Sequence, residues 1–275
     1  MLKKSVYTQI KILLNQKLAI ITFFLMLILV LYNYFNNIYI NLGKDVIELF
    51  QPMLITTISG YKNISFYFMQ YFPFMVILPA SFSYMLDKSA NTTIFLELRV
   101  GKKYYYIGKV IAVFLVTFLV FTIPLLLEIL LNLIAFPIQA NGDPNGFPIY
   151  SDTFISTVDS WFLPSLYVIS PVLYTVTFTI IFGLVCGLLS VFTLAISTLD
   201  LIKFKIILFI PIYLLFILLI FIESFFSLSI STNYIDYIRI FSNVNLGGGA
   251  YISVLCSLLL VSLLIIAFKA RKDSL

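Results

Sequence analysis

Asp87-Lys-Ser-Ala-Asn-Thr-Thr-Ile-Phe-Leu-Glu-Leu-Arg-Val-Gly-Lys-Lys-Tyr-Tyr-Tyr-Ile-Gly-Lys109 is the stretch on which the reading of this chain turns. It is the longest polar break between two apolar runs on the side of the chain that carries most of the positive charge. Its middle, Asn91 to Val100, reads as a short mixed helix of about two turns. Gly101 suits a helix stop, because glycine takes positive φ without a Cβ penalty. Lys102 and Lys103 follow, then three tyrosines that suit a membrane interface. So short a helix cannot bury itself, and its apolar side (Ile94, Phe95, Leu98) calls for a partner surface. Two readings stand side by side. The stretch is a docking element for a separate protein, or it is a solvated loop whose charges only set topology. A topology loop needs no Ile-Phe-x-x-Leu face, which favours docking.

Working outward, the solvent for most of the chain is lipid. Hydrophobic residues make up 61% and charged residues 11%, whereas a soluble domain is nearer a quarter charged. The 275 residues suffice for about six spans of about 20 residues each. A single transmembrane domain, 1–275, is expected, all-α, with 1–17 an amphipathic interfacial helix and 18–275 a six-span body. The spans read as Leu18 to Phe35, Phe66 to Met85, Tyr106 to Phe136, Tyr167 to Ser197, Ile206 to Glu223 and Ala250 to Phe268. Pro73 and Pro79 should kink or unwind the second, since each removes a backbone hydrogen bond. The third is long for a bilayer, so it tilts or breaks near Pro124. Val46 to Ile58 reads as a short helix on the membrane surface. In the leading segment Leu2, Val6, Ile10, Leu13 and Leu14 form one face, with Lys4, Thr8, Lys11 and Asn15 opposite, a pattern suited to an anionic leaflet.

Orientation follows from the positive residues. Fourteen of the 17 Lys and Arg fall on the leading segment, the 87–109 stretch, the 198–205 loop and the tail. Only Lys44, Lys62 and Arg239 fall on the opposite loops. That asymmetry alternates correctly for six spans with both termini cytoplasmic, in a plasma membrane. Basic residues that flank apolar helices are poorly explained by nucleic-acid binding.

Little in the chain suggests catalysis. There is no histidine, so a serine nucleophile would lack its usual base. Gly101-Lys102, Gly43-Lys44 and Gly108-Lys109 lack the spaced glycine and the Ser or Thr of a phosphate loop. Cys186 and Cys256 lie in apolar runs and read as packing residues, neither a disulfide nor a metal site. The chain is thus expected to be no enzyme and to hold no cofactor.

Three polar features remain inside the spans. Glu128 is about 31 Å along the third helix and Glu223 about 25 Å along the fifth. Each is a cation site or the lining of a cargo path, or each simply reaches the outer interface. Asn132 lies one turn beyond Glu128 on the same face. Gly183-x-x-x-Gly187 allows close helix contact, either within the fold or with a second copy.

At this point the chain resembles the membrane subunit of type-2 ABC exporters, the ABC-2 permease family, over nearly its whole length. The resemblance rests on the basic amphipathic leading helix, six spans with both ends inside, and Phe95-Leu96-Glu97-Leu98-Arg99-Val100-Gly101-Lys102-Lys103-Tyr104 followed by Gly108-Lys109. The Ile235-Asp236-Tyr237-Ile238 loop is also similar. The first loop is longer than is common in that family, and the second outer loop is rich in aspartate. The resemblance implies an elbow helix at the amino end and a permease that works as a dimer or with a related permease. Two separate ATP-binding subunits, which hold the ATP and Mg, would dock on the coupling helix near 91–103. Phe95 and Leu98 would fill a cleft on the ATPase, with Leu96 in the same motif and Glu97, Arg99, Lys102 and Lys103 in charged contacts. Competing expectations are an ion-coupled carrier using Glu128 and Glu223, and a non-transporting membrane scaffold.

Overall fold

The structure is a computed structural model that describes residues 1–46, 48–60, 63–138, 140, 142, 151–199, 204–226, 239–241 and 248–272. It is all-helical, with no strand among the described residues beyond one isolated bridge, Phe50 with Gly142. In order the helices are α1 (Leu2–Leu14), α2 (Lys17–Ile40), α3 (Asn63–Met75), α4 (Ser83–Ser89), α5 (Thr92–Val100), α6 (Lys102–Ala135), α7 (Asp152–Asp159), α8 (Pro164–Ile169), α9 (Pro171–Ser197), α10 (Phe209–Phe226) and α11 (Gly248–Lys272). Five stretches are long and apolar enough to cross a membrane: Lys17–Ile40, Lys102–Ala135, Pro171–Ser197, Lys205–Ile222 and Ile252–Arg271. This is the architecture of a multi-pass helical membrane protein.

The second expected span is the one that differs. The run from Phe66 to Met85 is not one helix: α3 ends at Met75, and α4 restarts at Ser83. Pro73 stays inside α3, and the unwound residues 76–82 centre on Pro79. They close on themselves through turns such as Ser81 N to Ile77 O and Ser83 N to Ala80 O. Val76, Ile77, Ala80 and Ser81 are buried, so irregular backbone here is shielded by protein, as a membrane interior requires. Ser81 Oγ shares a hydrogen bond with Ser190 Oγ at 2.9 Å, and Thr117 Oγ1 donates to that same oxygen.

Long α6 is the central post. It runs unbroken through Pro124 for 34 residues, about 51 Å at helical rise, well beyond a hydrocarbon core of about 30 Å. Against it lies α9. A Cβ built on Gly187 would sit 2.7 Å from the Phe114 ring, and one on Gly183 would collide with Thr122 Oγ1 and Phe118. The two glycines therefore let α6 and α9 approach closely inside one chain. Rings of Phe72, Phe121 and Phe182 lock α3, α6 and α9 together at centroid separations of 5.3–6.2 Å.

Packing fixes three further features, and the last two correct expectations. First, α1 meets α6 through a polar seam: Ser5, Gln9 and Leu13 are its buried residues, while Leu2 and Leu14 are exposed and Val6 and Ile10 half-buried. Gly108 permits this, because a Cβ there would strike the Ser5 side chain. Second, Tyr105 and Tyr106 are buried and only Tyr104 is exposed, so the triple tyrosine is not an interfacial belt. Third, no surface helix forms over 46–58 among the described residues. Residues 51–59 are instead a buried, non-helical loop. Pro52 and the β-branched run Ile55-Thr-Thr-Ile58 are poor helix formers, and the loop's carbonyls are taken up by asparagines described below. The bridge to the second loop pins its start: Gln51 N donates to Gly142 O and Gly142 N to Leu49 O, both at 2.9 Å. Trp161, Tyr167, Tyr174 and Phe241 cap that end of the bundle as an aromatic cluster, and Tyr167 Oη donates to Gln51 Oε1 at 2.7 Å.

Candidate functional site

Two features stand out at opposite ends of α6. The first is α5 and its base. Asn91 turns the chain at φ 53° between α4 and α5, and Gly101, at φ 87°, turns it again into α6. Helix α5 has no buried residue. Thr93, Leu96, Glu97 and Val100 are half-buried on its inner side, and Leu96 packs against the core. The outer side carries Ile94, Phe95 (73% exposed) and Leu98 (81% exposed) beside Arg99. Leu96 therefore faces the bundle while Phe95 and Leu98 face away. Lys103 is exposed and Lys102 half-buried. Both line a groove of about 720 Å³ between the start of α6 and the end of α11, with Arg271 on its rim and Ile107, Val110 and Leu263 in its walls.

What fixes α5 in place is a buried ionic knot. Lys109 Nζ donates to Asp87 Oδ2 at 2.5 Å and to Gln9 Oε1 at 3.1 Å. Tyr105 Oη donates to the same Asp87 oxygen at 2.7 Å. The Lys109 side chain is 2% exposed and that of Asp87 8%. Thus the first and last residues of the opening stretch meet, and the loop they close carries α5 outward. Helix α1 joins through Gln9 and through Ser5 Oγ, which donates to Tyr104 O at 2.8 Å. From the sequence, Lys109 stands as a topology charge and as part of the Gly108-Lys109 pair, with no ion-pair partner assigned to it. The signal for more was its register one helical turn from Tyr105, with Asp87 upstream.

The second feature is Glu128, which is 1% exposed. It is enclosed by protein, against α2 and loop 51–59. Its Oε1 accepts from Asn33 Nδ2 at 2.6 Å, Thr57 Oγ1 at 2.7 Å and Thr57 N at 2.9 Å. Asn33 Nδ2 also donates to Ile55 O, as does Asn37 Nδ2, at 2.9 and 3.0 Å. Asn132 Nδ2 reaches Pro52 O at 3.3 Å. So α2 and α6, each with a polar pair one turn apart, grip the buried loop between them. Glu128 and Asn132 come together as the sequence spacing suggests. Asn33, Asn37 and Thr57 complete the site and were missed, although an Asn-x-x-x-Asn pair inside an apolar run is a readable signal.

Glu223 falls within α10, and its side chain lies outside the described residues, as do Asp200, Lys203 and the Ile235-Asp236-Tyr237-Ile238 loop. Among the described residues no group of three or more His, Cys, Asp or Glu could hold a metal ion. Compared with known protein families, curated proteins and solved structures, the chain matches none.

Proposed function

We propose that this chain is the membrane-spanning permease subunit of an ATP-driven exporter of the ABC-2 kind, docked through α5 on a separate ATP-binding subunit. The observation that carries the reading is an apolar pair, Phe95 and Leu98, exposed on a helix with no buried residue. Exposed apolar residues grouped on one face mark interaction sites. The Asp87–Lys109–Tyr105 knot supports it further, because a docking element must transmit force and not merely bind. On this reading both termini and α5 are cytoplasmic, with α1 as the elbow. ATP and Mg belong to the partner, and two permease copies, identical or related, enclose the cargo path. Cargo would be a peptide, an antimicrobial or a lipid-like molecule.

The test is co-purification in mild detergent of the tagged chain with its cognate ATPase, comparing the intact protein with Phe95→Ala/Leu98→Ala. Retention by the intact chain and loss by the variant is the expected result. If the intact, folded chain retains no ATPase, the proposal fails. A second reading, ion-coupled transport without ATP, draws on the buried Glu128. Its signature would be cargo uptake driven by a cation gradient in vesicles that contain this chain alone.

A further inference from the structure

The layer formed by Asn33, Asn37, Glu128 and Asn132 has an unbalanced hydrogen-bond inventory. None of the four is more than 1% exposed. The orientation of each amide is dictated by its neighbours. Asn33 Nδ2 faces Ile55 O and Glu128 Oε1, Asn37 Nδ2 faces Ile55 O, and Asn132 Nδ2 faces Pro52 O. Backbone carbonyls only accept, so the nitrogen must be the atom turned toward each of them. The amide oxygens are then left over. Asn33 Oδ1, Asn37 Oδ1, Asn132 Oδ1 and Glu128 Oε2 are all buried with no hydrogen-bond partner.

Four orphans of a single kind are more telling than four of mixed kind. Each leftover atom is an acceptor, and together they carry one negative charge at most. A proton on Glu128 would answer one acceptor and satisfy its own oxygen, leaving two amides unserved. A cation, which only receives lone pairs, is the kind of partner that such acceptors share. The donor set also fixes the class of that group. It is made entirely of hard oxygens, with no thiolate or imidazole, which disfavours the softer transition metals. It holds one carboxylate, matching one positive charge, whereas calcium sites recruit six to eight oxygens and commonly several carboxylates. No Lys or Arg among the described residues contacts Glu128 to neutralise it.

We propose that Asn33, Asn37, Glu128 and Asn132, closed over by loop 51–59, form a binding site for a monovalent alkali cation. Bound there, the ion ties α2 to α6 and seats the loop, since Thr57 and Asn33 already share the other oxygen of the same carboxylate. The proposal stands apart from ATPase docking, which concerns the other end of α6.

The experiment uses the purified full chain in detergent. Thermal unfolding is followed in sodium, potassium or choline chloride at equal ionic strength, together with equilibrium binding of radiolabelled sodium competed by potassium. The expected result is a midpoint higher in sodium or potassium than in choline. It should rise with the logarithm of cation concentration, as ligand linkage requires. Glu128→Gln should abolish the difference and the bound label. Asn132→Leu keeps the carboxylate and removes one oxygen, and should weaken sodium affinity at least tenfold. It also serves if Glu128→Gln does not fold. Identical midpoints in sodium, potassium and choline would overturn the site, as would an equal shift in the folded variants. Stability that follows pH but ignores alkali cations would overturn it in favour of a proton.

Discussion

Replacing Asp87 with alanine strands a lysine inside the bundle. Lys109 keeps the neutral Gln9 oxygen at 3.1 Å as acceptor and the Tyr105 ring at 5.7 Å, with its side chain 2% exposed. Removing one partner of a buried ion pair costs about 3–5 kcal/mol, because the remaining charge is uncompensated. Tyr105 also loses its acceptor, and an unpaired buried hydroxyl costs about 1–3 kcal/mol. Asp87→Ala should therefore lose about 4 kcal/mol or more. Lys109→Met leaves Asp87 with Tyr105 as donor and should cost about 3 kcal/mol. In the double variant both charges are gone and the tyrosine penalty dominates, so its loss should be only about 1–3 kcal/mol. The assay is reversible unfolding by SDS in mixed micelles, followed by circular dichroism, on all four proteins. The reasoning is refuted if either single variant costs under about 1 kcal/mol, or if the two losses add in the double to within about 0.5 kcal/mol, the range for independent sites.

The other predictions are narrower. Thr57→Val keeps the shape but removes one donor to the Glu128 carboxylate, and should destabilise the chain by about 1.5–3 kcal/mol in the same unfolding assay. Gly183→Val forces a side chain against Thr122 and Phe118 and should cost about 1–3 kcal/mol by overpacking, read as a fall in thermal midpoint. Phe95→Ala/Leu98→Ala alters exposed positions only, so its own unfolding free energy should stay within about 0.5 kcal/mol of the parent while ATPase retention is lost. With Cys186 and Cys256 replaced by alanine, a cysteine at Ile94 should react with an impermeant maleimide only in inside-out vesicles. One at Thr157 should react only in intact cells, and the reverse pattern would invert the orientation.

The apolar spans were legible because length and hydropathy alone specify them, and α5 because Gly101 and the exposed Ile-Phe-x-x-Leu face are local signals. What escaped was specified at a distance. Residues 51–59 look like a surface segment until Asn33, Asn37 and Asn132 donate to its carbonyls and Glu128 accepts from Thr57, and no window around residue 55 contains those partners. The same holds for the seam of α1. Its sequence shows an apolar stripe, but not that Gly108 and Lys109, about 100 residues away, draw Ser5 and Gln9 against α6. Pro79 signalled a break in the second span but not that the break would be packed among Ser190, Thr117 and Ser81. A run of one hydropathy cannot distinguish a continuous helix from a broken one that neighbours shield.

The buried loop also sets a schedule for synthesis. Thr57 meets Glu128 across 71 residues of chain, so the first span leaves the ribosome long before its partner exists. Until α6 is inserted, Asn33 and Asn37 have no loop carbonyl held in place for them and would face lipid at a cost the finished protein never bears. A nascent chain stopped just before Lys102 should therefore be degraded faster than the full chain. The same chain released after Gly142 carries Glu128 and Asn132 and also the bridge that pins the start of the loop. For this protein the stability of an early span is decided by a later one, and truncation length, not helix count, marks where it becomes resistant to degradation.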